Sequence, residues 1–299
     1  MIFMKIYPKC VPCLLNRAEY ESDLSGKGKE KRFAAVSRAL DVIRSRFDSN
    51  APLHEISTEM HRTVYDTLGV DDPYKGKKQL ANEIAMDLID EVEDFLTEDN
   101  EKNFRKVLLA SIVSNSLDFG VMGHELDNRD LGEHFKKEFK EGELAIDDVD
   151  KIKEEAKNAE KITYILDNCG EVVFDSLVLD QIKEITDAEI DLLVRGAPIF
   201  NDVTLEEALE LNLDKKVDNL IELGDRAVGV HFNYTSKKAE ESLEDSDLIL
   251  SKGMANYESL SEYDDEYNIA YTLRTKCKPV ADSIGVEVNS NIAKLKKTQ

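Results

Sequence analysis

The spacing of apolar residues along the chain changes near residue 160. Before that point, apolar side chains recur every three or four positions, as in Phe33, Val36 and Leu40, and turn-forming residues separate one such stretch from the next. This period predicts amphipathic helices, and no run of period-two alternation is evident there. We therefore predict that residues 1–160 form a mainly helical N-terminal domain.

From Lys161 onward, short apolar runs alternate with helical stretches. The predicted strands are 161–167, 189–195, 217–223, 247–251 and 268–273. Strands that alternate with short helices are typical of a parallel sheet with right-handed crossovers. The sequence thus predicts an α/β fold, in which a helical N-terminal portion precedes a second domain, residues 161–299, built on a mainly parallel sheet.

Length and hydropathy limit the class of protein. The 299 residues suffice for one large or two ordinary domains. The longest apolar run, around Val107 to Val113, is far shorter than a membrane span, and the chain does not start with a signal-peptide pattern. We expect a soluble cytoplasmic protein with no membrane partner, and the sequence indicates no particular oligomeric state.

The charge of the chain limits its partners. With 39 basic and 62 acidic residues, the formal net charge is −23, and lysines and arginines form no extended cluster. Binding to a phosphate backbone requires clustered basic residues, so we expect no nucleic-acid partner. An acidic protein still binds a small phosphorylated metabolite when a metal ion and a few lysines reverse the local field.

Polar side chains suited to ligand binding follow three of the predicted strands. Asp167 and Asn168 end the first strand, Asp202 lies in the loop after the second, and Lys252 and Gly253 follow the fourth. The carboxyl ends of parallel strands meet at one edge of a sheet, where ligands bind. Carboxylate and amide oxygens suit Mg²⁺ or Mn²⁺, and a lysine beside a glycine suits an oxyanion. Together these loops predict a site for a metal ion and a phosphate.

Each of these segments also has a purely structural interpretation. Asp-Asn before a glycine is typical of a turn, and Thr204 is suited to cap a helix that starts just after Asp202. In the N-terminal portion, Asn115 and Asp118 end an apolar helix before Gly120. They either form a helix C-terminal cap or reach over the strand ends and complete the pocket.

Several segments, taken in order, resemble the damage-control phosphatase family, once catalogued as domain of unknown function 89, in its branch with an N-terminal CxxC motif. The segments are Cys10-Val-Pro-Cys13, Asp72-Pro73-Tyr74 with Lys77 and Asn82, Asn115-Ser-Leu-Asp118-Phe119-Gly120, Leu166-Asp167-Asn168-Cys169-Gly170-Glu171, Arg195-Gly196-Ala-Pro198 with Asn201-Asp202-Val203-Thr204, and Ser251-Lys252-Gly253 with Asn256-Tyr257-Glu258. The resemblance runs from Lys9 to about Val286.

The resemblance implies a helical N-terminal portion joined to a Rossmann-like α/β/α domain. It also implies hydrolysis of phosphate monoesters of small metabolites, such as sugar phosphates or nucleotides, which are sometimes damaged or side products. One divalent metal ion (Mn²⁺, Ni²⁺, Co²⁺ or Mg²⁺) is expected as cofactor. The residues matching its ligands are Asp167, Asn168 and Asp202, and the two aspartates are the expected catalytic residues.

The resemblance also implies a set of substrate contacts. The residues that match are Asn115, Asp118, Lys252, Gly253, Asn256 and Lys276. The last departs from the pattern, because a related branch carries Arg-Thr-x-Lys near the C-terminus. Here Arg274-Thr275-Lys276 places the lysine one position early, and Cys277 stands where that lysine is expected.

The expected mechanism is attack by water activated on the metal ion, which acts as a Lewis acid. The Asp-x-Asp signature of aspartyl phosphatases is absent, because residue 169 is cysteine. Two other functions remain open. A carboxyl methyltransferase that uses S-adenosylmethionine would be expected to have a glycine-rich loop after the first strand, where the chain has only Gly170. A non-catalytic metabolite-binding protein would have a vestigial acidic site.

The CxxC motif, Cys10 and Cys13, is a separate question. Two cysteines at this spacing bind metal or undergo redox cycles, yet they are only half of a zinc site. Cys277 is a candidate third ligand. We predict a structural role instead, with the two thiols anchoring the N-terminal segment, which the nearby Pro8 and Pro12 predict to begin as an extended strap.

Overall fold

Helices fill most of the first half of the chain in the computed structural model, which describes residues 4–96, 100–117 and 128–298. They are α1 (Cys10–Leu24), α2 (Lys29–Arg46), α3 (Leu53–Leu68), α4 (Lys75–Glu93), α5 (Asn100–Val113) with a 3-10 turn (Ser114–Leu117), and α6 (Asn128–Glu141). The helical N-terminal portion is therefore confirmed. None of the helices in these residues is long and apolar enough to cross a membrane.

Helix α2 buries a different face from the one that its largest apolar residues predict. Phe33 and Leu40 are 70% and 49% exposed, whereas Ala35 and Ala39 are fully buried. The alanines pack with residues of α1 and α3 in one apolar cluster. Small side chains at the contact let helices approach closely, and this packing outweighs the burial of the larger residues.

The second half alternates strands and helices as predicted. The elements are β1 (Leu144–Asp147), α7 (Val149–Asn158), β2 (Lys161–Ile165), α8 (Glu171–Ile185), β3 (Glu189–Val194), α9 (Leu205–Glu210), β4 (Asn219–Glu222), α10 (Lys237–Glu244), β5 (Leu248–Lys252), α11 (Gly253–Leu260), β6 (Ile269–Arg274), α12 (Lys278–Ile284) and β7 (Asn291–Lys296). Strands β2 to β6 match the five predicted strands.

The seven strands form one sheet in the order β1-β7-β6-β5-β2-β3-β4. Only the contact between β6 and β7 is antiparallel, so the mainly parallel sheet is confirmed. Two strands were missed. The expectation of no strand before residue 160 was wrong at β1, a four-residue strand that pairs with β7 at the edge of the sheet. The division of the chain at residue 160 stays a prediction.

Helices cover both faces of the sheet. Ile162 and Tyr164 of β2 belong to an apolar cluster with residues of α4 to α8, whereas Ile165 belongs to a cluster with residues of α10, α11 and α12. This alternation follows from the period of two in a strand. The arrangement is the expected α/β/α sandwich, and it brings the C-terminal end of α5 close to the loops that follow β2 and β5.

Candidate metal and phosphate site

The turn after β2 carries the first two predicted ligands. Leu166 still pairs with β3 through its backbone, and the chain then turns through Asp167 and Asn168 to Gly170, which has a φ of +90°. The N–H of Gly170 donates to Asn82 Oδ1 of α4 at 2.7 Å. A glycine is required there because the turn needs a left-handed backbone. The turn leaves Asp167 and Asn168 at the carboxyl edge of the sheet.

Asp202 reaches the same place from the loop after β3. Asn168 and Asp202 form an isolated antiparallel bridge, and the N–H of Val203 donates to the carbonyl of Asp167 at 2.8 Å. Thr204 then caps α9, in agreement with the structural interpretation of this segment, and forms a capping box with Glu207. The structure therefore brings Asp167, Asn168 and Asp202 together.

Arg195, at the end of β3, holds this group of residues in place with all three of its side-chain nitrogens. Nε donates to Asp202 Oδ2 at 2.6 Å, Nη1 donates to the carbonyl of Gly229 at 2.7 Å, and Nη2 donates to Asn256 Oδ1 at 2.9 Å. Nη2 also lies 3.8 Å from Asp167 Oδ1. The guanidinium is 3% exposed, so a dry, charge-assisted contact fixes the orientation of Asp202.

Glu171 is a site residue that the sequence-based prediction did not include. Its Oε1 accepts from the backbone N–H of Asn168 at 3.0 Å and from Asn168 Nδ2 at 2.9 Å. Asn115 Nδ2 lies 3.3 Å from both Glu171 oxygens. An Asn followed three residues later by Glu, just before an apolar helix, is the spacing of a capping box, and this signal was available in the sequence.

Asp167 lies in an environment that opposes its negative charge. Burial raises the pKa of Asp167 well above its usual value, and the nearby Asp202 and Glu171 carboxylates raise it further, whereas Arg195 and Lys276 lower it. Asn168 Nδ2 donates to Asp167 Oδ2 at 2.8 Å. Three carboxylates with so little solvent favour the binding of a compensating cation.

Lys252 is a buried lysine close to the predicted metal ligands. Its ammonium is buried, donates to the carbonyl of Ser111 at 2.9 Å, and lies 3.2 Å from Asp175 Oδ1 and 3.5 Å from Glu171 Oε2. Burial opposes its charge, yet the carboxylates of Asp175 and Glu171 raise the pKa of Lys252 above its usual value. Tyr164 also donates to Asp175 Oδ1, at 2.7 Å. These partners come from α5 and α8, and the contact of Lys252 with substrate stays a prediction.

The other predicted substrate contacts fall in different places. Asn256 is buried and donates to the carbonyls of Leu166 and Lys252, so its amide group joins two strand ends within the protein. Lys276 is partly buried and close enough to lower the pKa of Asp167. Asp118 lies outside the described residues.

The donor atoms fit a hard divalent cation. Asp167 and Asp202 supply carboxylate oxygens, and Asn168 uses its amide nitrogen in its bonds to Asp167 and Glu171, so its oxygen is the atom suited to a metal ion. Asn115 Oδ1 is buried with no hydrogen-bond partner among the described residues. A buried amide oxygen without a partner costs about 1–3 kcal/mol, and this cost favours a ligand at the site.

The cysteines of the CxxC motif lie at the start of α1, far along the chain from these loops. The structure has a helix from Cys10 onward, so the predicted extended strap is wrong for this segment. Cys10 is buried and Cys13 is exposed. Burial raises the pKa of Cys277 to about 11, and the thiols of Cys10 and Cys13 are near enough to contribute. Whether the motif is structural stays a prediction.

Comparisons with known proteins relate almost the whole chain to one protein family. The family profile described as "Damage-control phosphatase ARMT1-like domain" matches residues 6–292. A protein of Archaeoglobus fulgidus named "Damage-control phosphatase" is 36% identical over 292 residues, which cover 98% of this chain and 99% of that protein. A damage-control phosphatase of Pyrococcus horikoshii is 31% identical and covered over 95% of each chain. The crystal structure of a DUF89 family protein from Pyrococcus horikoshii superposes with a TM-score of 0.87 at 30% identity, covering 98% of this chain and 99% of that one.

Proposed function

We propose that this chain, which belongs to the damage-control phosphatase family, is a metal-dependent phosphatase that hydrolyses phosphate monoesters of small metabolites. The observation that carries the proposal is the meeting of Asp167 and Asp202 from two strand ends on one buried arginine, Arg195. Relatives that bear the name damage-control phosphatase support the reaction class. The substrate class and the need for metal are our inference.

The proposed metal ligands are Asp167, Asn168 and Asp202. A divalent ion bound there (Mn²⁺, Ni²⁺, Co²⁺ or Mg²⁺) supplies Lewis acidity and a water of lowered pKa. The protein itself fixes the ligands. Arg195 holds one oxygen of Asp202, and Glu171 holds the backbone and side-chain N–H groups of Asn168. Ligands that are held in this way do not need to reorganise when the substrate binds.

The proposed substrate side of the site is formed by the loops around these ligands. The buried Oδ1 of Asn115 accepts no hydrogen bond from any residue that the structure describes, so it is suited to accept one from a hydroxyl group of the substrate. Lys276 is the proposed phosphate contact, because the residue is only partly buried and its charge acts on Asp167. The buried ammonium of Lys252 neutralises Asp175 and Glu171. We propose that Lys252 positions these carboxylates and that its positive charge also helps to offset the charge of the substrate phosphate.

A direct test measures phosphate release by the full chain after chelation and dialysis. The protein is supplied separately with Mg²⁺, Mn²⁺, Co²⁺ or Ni²⁺ and offered sugar phosphates, nucleotides and phosphopantetheine. We expect release with at least one metal, loss of release in EDTA, and recovery when the metal is restored. Full activity in the presence of chelator would contradict the need for metal. If none of the compounds released phosphate with any of the four metals, the assignment as a phosphatase would be wrong.

A further inference from the structure

Two histidines and a glutamate form a further group of possible metal ligands, apart from Asp167, Asn168 and Asp202. His54 and Glu55 lie in the first turn of α3, and His231 lies in the loop between β4 and α10. One ligand atom from each of the three side chains lies within 4.8 Å of the other two. The imidazole rings are 5.2 Å apart and nearly perpendicular.

Both histidines are buried, and one ring nitrogen of His54 has no hydrogen-bond partner among the described residues. His54 is 8% exposed and His231 is 7% exposed. His54 Nδ1 is buried and has no hydrogen-bond partner among the described residues. Burial, with smaller contributions from His231 and Lys5, lowers the pKa of His54 to about 4. The imidazole is therefore neutral near pH 7, and this is the form that binds metal ions.

We propose that His54, Glu55 and His231 form a second metal site, which takes a transition-metal ion such as Zn²⁺, Ni²⁺ or Co²⁺. Imidazole nitrogens select these ions over Mg²⁺, whereas the site at Asp167 offers only oxygen atoms. Three protein ligands leave one position of a tetrahedral zinc ion for water. The ion would satisfy the buried Nδ1 of His54, which has no hydrogen-bond partner in the part of the chain that the structure describes.

The charged groups around this cluster have opposite effects on a bound cation. Glu55 favours a positive charge beside His231, whereas Arg62 and Lys5 oppose it. Both basic side chains have acidic partners that offset them. Lys5 Nζ lies 3.4 Å from Glu262, and Arg62 Nη2 lies 2.9 Å from Asp225.

The proposed ion would cross-link α3 to the loop that supports Arg195. The N–H of Val228 in this loop donates to Thr58 Oγ1 of α3 at 3.0 Å. The next residue, Gly229, accepts the hydrogen bond from Arg195 Nη1. A metal ion at His231 would therefore stiffen the segment that positions Arg195 and, through it, Asp202. This role does not depend on which reaction the protein catalyses.

The NMR signals of the histidine ring nitrogens test this proposal directly. They report zinc that binds to a histidine, and zinc that binds only to thiols or carboxylates leaves them in place. The full chain has five histidines, so a spectrum of ¹⁵N-histidine protein is simple. We expect one equivalent of Zn²⁺ to shift a ring nitrogen of His54 and one of His231. We expect the signals of His61, paired with Glu21, and of exposed His134 to stay in place.

Variants separate this site from the other one. The Asp167→Asn, Asp202→Asn double variant should keep the zinc-induced shifts, whereas His231→Gln should abolish the shift at His54 and weaken zinc binding at least about tenfold. His134→Gln is the matched control. His54→Gln serves as a second variant if His231→Gln does not fold, as judged by circular dichroism. Zinc that leaves both ring nitrogens unshifted in the wild-type chain would overturn the proposal.

Discussion

The backbone of Gly253 lies directly against the carboxylate of Asp167, so a Cβ at position 253 would overlap Asp167 Oδ2. Its φ of +76° also lies in the left-handed region that favours glycine. The two residues end neighbouring parallel strands, β2 and β5. A glycine at the start of α11 thus leaves space for the carboxylate of Asp167, the first of the proposed metal ligands.

Gly253→Ala should therefore displace the Asp167 carboxylate. We expect turnover to fall at least about 10²-fold, because a displacement of about 1 Å at a reacting centre has that effect. Gly285→Ala is the matched control, since Gly285 has a φ of +87° and open space around its Cβ position. The control should lose about 1–2 kcal/mol of stability from backbone strain and keep its activity. Equal activity in both variants would show that the close approach to Asp167 is unimportant.

Arg195→Lys should destabilise the protein strongly. Lysine cannot make the three directed contacts of a guanidinium, so Asp202 would lose its partner while still buried. Removing one partner of a buried ion pair costs about 3–5 kcal/mol. Urea unfolding measures this change. Arg105→Lys, at a half-exposed pair with Asp147, should cost at most about 1 kcal/mol, and a similar cost at both positions would refute the role of Arg195.

Asn115→Ala should affect the site more than the fold. The substitution removes the weak contacts to Glu171 at 3.3 Å, together with an oxygen that accepts no hydrogen bond from the described residues. We therefore expect a change in stability of at most about 1.5 kcal/mol. A rise in KM or a fall in kcat is expected in the phosphate assay. Asn158→Ala, on an exposed helix end, is the control. Unchanged KM and kcat in Asn115→Ala would remove this residue from the substrate side.

The carboxyl group of Glu258 makes the stability of the folded protein decrease as the pH rises. Burial raises the pKa of Glu258 from 4.5 to about 7. The folded protein therefore binds a proton that the unfolded chain releases between about pH 4.5 and 7, and stability falls as pH rises through this window. Glu258→Gln should match the wild type near pH 5 and exceed it at pH 8, by at most about 3 kcal/mol.

Urea unfolding of both proteins without added metal, at pH 5, 6, 7 and 8, measures the difference. The same substitution at Glu241, which is 56% exposed, serves as the control. A difference between wild type and Glu258→Gln that stays constant with pH would contradict the raised pKa of Glu258.

The strands that the sequence predicted correctly are the ones with a buried apolar run between helices. In β2 and β3 nearly every side chain is buried, so the pattern is strong. Strand β1 was missed because its four residues alternate between half-buried and exposed and it lies at the sheet edge. Strand β7 follows α12 along the chain, yet it pairs antiparallel with β6. Its last three side chains are only partly buried, so its apolar pattern is weak.

The sequence predicts the residues at the candidate site that directly follow strands, but not the contacts that they make with distant segments. The proximity of Asp167, Asn168 and Asp202 was predictable because these residues follow strands whose ends converge at one edge. The partners of Lys252 come from α5 and α8, namely Ser111, Asp175 and Glu171. Contacts between segments that are so far apart along the chain leave no trace in residue spacing, so the burial of Lys252 could not be predicted.

Asp202→Asn tests most directly whether Asp202 is a metal-binding carboxylate of a phosphatase. Asparagine keeps an oxygen that accepts the Arg195 hydrogen bond, so the fold should persist while the negative charge is lost. With saturating metal and a substrate that the wild type hydrolyses, we expect phosphate release to fall at least about 10²–10³-fold. Asp180→Asn, at a partly exposed pair with Lys216, should stay within about twofold of wild type. Near-normal phosphate release by folded Asp202→Asn would contradict the account.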